Sequence, residues 1–280
     1  MSAESPLVST EWLAGRINAP DVRVVDASWY LPNMNRDPRA EYAAAHIPRA
    51  LFFDIDDLSD DKNPLPHMLA PAPKFASRMR KLGLGDGNMI VVYDSAGVYS
   101  APRAWWMLRA MGHEDVVVLD GGLPKWRREG RPLEDMTAMP FARHFTARPN
   151  NALVRDFRQM KANLESHAEQ VIDARGIPRF KAIEPEPRPG TRGGHIPGSL
   201  NVPYTELTGE DGTLKSAADL RATFGAHGVD LGRHSVTTCG SGITAAIVLL
   251  AMTVAGAHDV ALYDGSWAEW GASDAPVETG

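Results

Sequence analysis

The chain contains one cysteine, Cys239, and the residues around it suit a sulfur nucleophile. Strand-forming residues Ser235-Val236-Thr237-Thr238 run into Cys239-Gly240-Ser241-Gly242-Ile243-Thr244, and an apolar helical stretch from Ala245 to Met252 follows. A strand that feeds a short Gly-rich loop and then a helix turns backbone N–H groups and the positive end of a helix dipole toward the loop centre. Such a setting favours the thiolate, the reactive form of cysteine. The alternative is a buried structural cysteine, a common fate for an unpaired thiol. Two glycines beside the residue argue against it, because they leave the sulfur uncrowded and the loop amides free. Cys239 reads as a nucleophile.

The elements that must position Cys239 occur twice. Val24-Val25-Asp26-Ala27-Ser28 is echoed by Val171-Ile172-Asp173-Ala174-Arg175, and His46-Ile47-Pro48-Arg49-Ala50 by His195-Ile196-Pro197-Gly198-Ser199. Val91-Val92-Tyr93-Asp94 matches Val236-Thr237-Thr238-Cys239, and Leu119-Asp120-Gly121-Gly122 matches Tyr263-Asp264-Gly265-Ser266, with Trp126 opposite Trp270. Four blocks in one order at a nearly constant offset mark a tandem duplication. In the first copy the patterns predict strands over 22–26, 89–93 and 116–119. They predict helices over 38–45, 74–82 (stopping at Gly83) and 101–111, the last capped by Ser100. Strands separated by helices imply an α/β fold with a parallel sheet covered on both faces. Ligands then sit beyond the carboxyl ends of the strands, where Cys239 lies. The expected domains are 1–138 and 153–280, joined by a linker over 139–152 that lacks a clear pattern from Pro140 to Asn151.

The duplication is an internal control. Asp94 stands where Cys239 does and cannot be a sulfur nucleophile, so the first domain is expected to be chemically inert. Features shared by both copies, His46 with His195 and Asp26 with Asp173, are expected to serve the fold.

Composition narrows the classes. The 280 residues suffice for two domains, and a formal net charge of −6 argues against a general partner for nucleic acid or anionic membrane. One cysteine leaves no intramolecular disulfide and suggests a reducing compartment. Met1 to Trp12 show no targeting pattern and no apolar run is long enough to span a bilayer, so a cytoplasmic protein is the expectation.

These residues resemble the tandem-domain sulfurtransferases, the rhodanese and 3-mercaptopyruvate sulfurtransferase family. The resemblance extends over Asp26-Ala27, Phe52-Phe53-Asp54-Ile55, His67-Met68-Leu69, the run from Tyr99 to Trp106, and Gly194-His195-Ile196-Pro197-Gly198. It implies two rhodanese-like domains. Thiosulfate-preferring members tend to carry Cys-Arg-Lys-Gly in the active loop, the mercaptopyruvate branch Cys-Gly-Ser-Gly, and this chain has Cys239-Gly240-Ser241-Gly242. A compact dianion favours a cationic loop, whereas a single carboxylate beside a ketone needs only arginines elsewhere.

The resemblance implies transfer of sulfur from 3-mercaptopyruvate to cyanide or a thiol, reduced thioredoxin included, through a Cys239 persulfide, with release of pyruvate and no metal or organic cofactor. Cys239 and Ser241 would be catalytic. Arg179 and Arg188 would hold the substrate carboxylate, with Gly240, Gly242, Ile243 and Thr244 completing the binding loop. Arg175 is a weaker third arginine that could instead pair with an acid. A relay of Ser241 with His46 and Asp37 is also conceivable, although His46 has a fold counterpart in His195. A thiosulfate-preferring enzyme and a non-catalytic sulfur carrier remain alternatives. A cysteine phosphatase does not fit: the Cys-x5-Arg it needs would put arginine at Ala245, and no arginine lies between Cys239 and Ala257.

Overall fold

Long β-branched runs on buried strands and short polar turns give each half of the chain its own sheet. The computed structural model describes residues 5–136 and 140–280. In the first half the strands are β1 (Leu7–Val8), β2 (Val22–Asp26), β3 (Leu51–Phe52), β4 (Met89–Tyr93) and β5 (Val116–Leu119). In the second they are β6 (Val154–Arg155), β7 (Gln170–Asp173), β8 (Leu200–Asn201), β9 (Ser235–Thr238) and β10 (Val260–Tyr263). The spatial orders are β1-β5-β4-β2-β3 and β6-β10-β9-β7-β8, one topology used twice. The strands pair in parallel, with equivalent registers such as Val25 opposite Leu51 and Ile172 opposite Leu200. All four residues of β5, β7, β9 and β10 are buried, as parallel strands flanked by helices must be.

The helices of the first half are α1 (Thr10–Arg16), α2 (Pro38–Ala44), α3 (Ala72–Lys81), α4 (Ala101–Ala110) and α5 (Gly122–Arg128). Those of the second are α6 (Phe157–Ser166), α7 (Ile177–Phe180), α8 (Ala217–Ala226), α9 (Ile243–Ala255) and α10 (Ser266–Trp270). α3 starts before the expected Lys74 because Pro73 sits in its first turn, where a missing N–H costs nothing. α9 outruns the expected 245–252 at both ends. It begins directly after Gly242 and stops at Gly256, whose φ of +106° ends the helix. Almost every side chain of α9 is buried, in keeping with its apolar circumference.

The chain divides into two compact units. The first comprises residues up to Asp61 with Leu69–Asn150 and Gly209–Leu214; the second comprises Lys62–Met68, Asn151–Thr208 and Lys215–Gly280. Residues 140–150, within the stretch read as a linker, carry no helix or strand but pack on the first unit. Phe145 is fully buried against Phe75 and His113, and its carbonyl accepts from the Arg80 guanidinium. The boundary placed after residue 138, and Met1–Glu4 of the stretch searched for a targeting signal, lie outside the described residues. Among the described residues no helix is long and apolar enough to cross a membrane.

Candidate active site

β9 ends at Thr238, so the next residue, Cys239, emerges at the carboxyl edge of the second sheet; it is 2% exposed. Its Sγ accepts the Gly242 N–H at 3.1 Å. Gly242 holds φ +81°, a left-handed conformation natural to glycine, and thereby turns the loop into α9. The outer side of the loop is pinned by α10: Trp267 N–H donates to the Cys239 carbonyl and Ala268 N–H to that of Gly240, both at 2.9 Å. Backbone bonds therefore fix the sulfur independently of any substrate.

The first copy shows what this position is built to hold. Asp94 follows β4 as Cys239 follows β9, and its carboxylate fills the mouth of α4. Oδ2 accepts the N–H groups of Tyr99, Ser100 and Ala101 at 2.8–2.9 Å, and Oδ1 that of Ala96 at 2.8 Å. The expected cap, Ser100, does not cap α4; its hydroxyl donates to Ala27 O and accepts from Trp29 N–H. The sheet edge of the first copy is thus a socket of backbone donors for an anion, and in the second copy the sulfur stands at the equivalent place with the Gly242 N–H on it.

Arg179 and Arg188 converge on the Cys239 loop. A Cβ placed on Gly240 would lie 3.2 Å from Arg179 Nη2 and 3.7 Å from Arg188 Nη1, so the missing side chain is the room these guanidinium groups occupy. Burial holds the Arg188 guanidinium below the usual arginine range; the Cys239 charge offsets this and Arg179 adds to it. Tyr204 shares the site: burial raises its hydroxyl, Arg179 draws it down and Cys239 pushes it up. Of the other expected loop residues, Ser241 is 7% exposed and Thr244 half-buried. Ile243 turns its side chain into the core, which leaves its backbone as the part that can serve a ligand.

Arg175 behaves as the acid-paired alternative. Its guanidinium reaches both oxygens of Asp173, Nε donating to Oδ1 and Oδ2 and Nη2 to Oδ2, donates to Gly194 O and Glu186 Oε1 at 2.7 Å, and lies 4.3 Å above the Trp267 ring. Glu186, nearly fully buried, also takes Arg179: Nε at 3.2 Å on Oε1 and Nη2 at 2.5 Å on Oε2. Asp173, Arg175, Glu186 and Arg179 thus alternate in sign from the sheet to the loop.

His46 and Asp37 have other duties. Asp37 caps α2 through the N–H groups of Arg39 and Ala40. His46 is fully buried, stacked on Tyr42 at 4.1 Å, with Nδ1 2.7 Å from Tyr42 O and its backbone bridged to Glu134. His195 repeats each element with Phe180 and Glu278. One fixture in both copies, including the copy without the thiol, is structural.

Two residues of the site escaped the sequence reading, Glu186 and Tyr204. When the copies are aligned at Leu51 and Leu200, Tyr204 stands opposite Ile55, and that departure from the repeat is the signal that could have found it. Among the described residues no group of three or more His, Cys, Asp or Glu is placed to hold a metal ion.

Comparison with known proteins shows the family. The rhodanese-like domain family matches residues 9–129 and 156–273. A 3-mercaptopyruvate sulfurtransferase of Homo sapiens is 45% identical over 94% of this chain and 91% of its own length. One from Escherichia coli K12 is 46% identical over 97% of both. A thiosulfate sulfurtransferase of Bos taurus is 42% identical, over 98% and 94%. The crystal structure of SseA from Escherichia coli, a 3-mercaptopyruvate sulfotransferase, superposes with a TM-score of 0.86 at 42% identity, covering 94% of this chain and 99% of that one. With two matched domains, one sheet order used twice and relatives aligned over nearly its whole length, this chain belongs to the rhodanese-like family in its tandem-domain form.

Proposed function

We propose that the chain is a 3-mercaptopyruvate sulfurtransferase whose second domain, 153–280, carries the chemistry, while the first, 1–138, is inert and joined to it through 139–152. The observation that carries this reading is the convergence of Arg179 and Arg188 on a Gly240 without a side chain, beside the only thiol in the chain. Two guanidinium groups suit one carboxylate, which each can grip in a fork.

In the first half-reaction the Cys239 thiolate attacks the sulfur of mercaptopyruvate. The carbon–sulfur bond breaks, its electron pair leaves as the pyruvate enolate, and a proton returns to that carbon to give pyruvate. Arg179 and Arg188 hold the carboxylate through this step. The Ser241 hydroxyl and the loop backbone from Gly240 through Gly242, Ile243 and Thr244 oppose the charge that develops on the leaving group. The chemistry uses no metal or organic cofactor. In the second half-reaction an acceptor takes the outer sulfur and the thiolate is restored, so kinetics are ping-pong. The acceptor is a thiol or cyanide, with reduced thioredoxin as the protein candidate, and a lone cysteine suits the reducing cytoplasm.

Thiosulfate preference is the second reading, favoured by the 42% identity to the Bos taurus thiosulfate enzyme. It is weakened by the absence of any cationic side chain at Gly240 and Ser241. The test is pyruvate release from mercaptopyruvate with cyanide as acceptor, alongside intact mass. Mercaptopyruvate alone should add one sulfur to the protein; Cys239→Ser should lose both the mass gain and turnover. A wild-type kcat/KM that favours thiosulfate over mercaptopyruvate overturns the donor assignment.

A further inference from the structure

Arg179 Nη2 has two neighbours of opposite consequence. On one side is the Cys239 loop, at 3.2 Å from where a Gly240 Cβ would be; on the other is Glu186 Oε2 at 2.5 Å. The nitrogen that lies against Gly240 of the Cys239 loop is therefore the one whose charge a buried carboxylate offsets. Glu186 reaches Arg188 only at electrostatic range. Among the described residues, the ladder and its neighbour Arg188 carry three positive charges, on Arg175, Arg179 and Arg188, and two negative ones, on Asp173 and Glu186, a sum of one net positive charge. Without Glu186 it would be two.

The duplication separates this arrangement from ordinary fold maintenance. Asp26 in the first copy corresponds to Asp173, but Ser28 stands where Arg175 does and bonds Asp26 Oδ1 through both its N–H and its hydroxyl. The same strand end and turn thus fold without any arginine ladder, and the ladder occurs only in the copy that carries the thiol. A tie between the 181–190 loop and the sheet would need just Arg175 and Glu186. Extending it to the loop-facing nitrogen of Arg179 is the part that serves the site.

We propose that Glu186 is a positioning residue that holds Arg179 and cancels part of its charge, so that the site selects singly charged sulfur donors over doubly charged ones. The donor half of this rests on the function proposed above; the charge half does not. A second charge on the donor is stabilised less where Glu186 has lowered the positive charge beside the loop, whereas a monocarboxylate needs only the grip of Arg179 and Arg188.

The test is Glu186→Gln, read through two ratios at low ionic strength. The first compares the rates at which iodoacetate and iodoacetamide alkylate Cys239. The two reagents share a leaving group and differ in one charge, so their ratio cancels thiol reactivity and the fraction of protein folded. Glu186→Gln should raise it about three- to tenfold, the effect of one unscreened charge within a few ångströms of a partly buried site. The second is kcat/KM for thiosulfate over that for mercaptopyruvate, which should rise together with it. A Glu186 that merely braces the loop would lower all rates and leave both ratios unchanged, and an unchanged value of either ratio overturns the proposal. Should wild type release no pyruvate from mercaptopyruvate, the proposed function fails and the alkylation ratio alone decides this inference. Where Glu186→Gln does not fold by circular dichroism, Glu186→Asp withdraws the same charge by one methylene. It should move the ratios in the same direction by a smaller factor, and no movement there is equally fatal.

Discussion

Arg179 and Arg188 can lie against the Cys239 loop because nothing projects from Gly240. Any side chain there meets Arg179 Nη2 first, so a basic residue at this position would compete with the arginines for the same volume. Replacing Arg179 or Arg188 with Ala should cost about 2–4 kcal/mol in kcat/KM for mercaptopyruvate, the range for losing a charge-assisted contact to substrate. Alkylation of Cys239 by neutral iodoacetamide should fall less than kcat/KM does, because the sulfur keeps the Gly242 N–H and its loop the backbone bonds to α10, and loses only the stabilising charge of the arginine. Unchanged kcat/KM in the double Ala variant would remove both residues from the site.

At the scale of elements, the first copy converts the same socket into a helix cap. Asp94 satisfies the Ala101 amide that opens α4, the Ser100 amide just before it, and the loop amides of Tyr99 and Ala96, in a place that is 1% exposed. Asp94→Ala would bury those donors unpaired, and the loss should be about 2–4 kcal/mol by chemical denaturation. Asp94→Asn, which keeps an acceptor oxygen, should lose less; equal losses would show that the amides are not what Asp94 serves.

This cap also shows where sequence reading stops. The central strands were legible because Val22–Asp26, Met89–Tyr93 and Val116–Leu119 are short stretches rich in valine and isoleucine. The two-residue strands β1, β3, β6 and β8 are too short for any periodicity to mark them. Ser100 fits the local rule for an N-cap, but a carboxylate delivered from the end of β4 takes the amides instead, a tertiary effect invisible to a local rule. Cys239 and its loop were legible as one contiguous motif. Glu186 and Tyr204 were not, since only the folded chain brings them to Arg179 and Cys239.

At the scale of the whole molecule, the two copies treat one buried acid differently. Asp173 is neutralised by the fork from Arg175, whereas Asp26 has only neutral partners, and burial pushes its carboxyl up to about 6. A folded value above the unfolded one means the native state holds the proton more tightly. Asp26 therefore contributes stability that is full below about pH 4 and fades as pH rises through about 6. At pH 7–8 its ionised form costs the fold up to about 3 kcal/mol. Asp26→Asn should thus stabilise the protein above pH 6 and flatten the decline between pH 4 and 7 in denaturation curves. A wild-type difference independent of pH would show that Asp26 does not titrate in this range.

The carboxylate in the α4 socket has a consequence for descent. A carboxylate in place of a thiol gives the first copy a permanent internal ligand, and selection for a sturdier helix would keep it. The return path is longer. Asp94→Cys would place a thiol near Ser28 and Ile55, where the copy with Cys239 has Arg175 and Tyr204, and before the 95–100 loop rather than the shorter 240–242 turn. Each of those changes is useless without the others. A twin site of this kind is surrendered by one residue change and regained only by several, so any division of labour between the halves works as a ratchet.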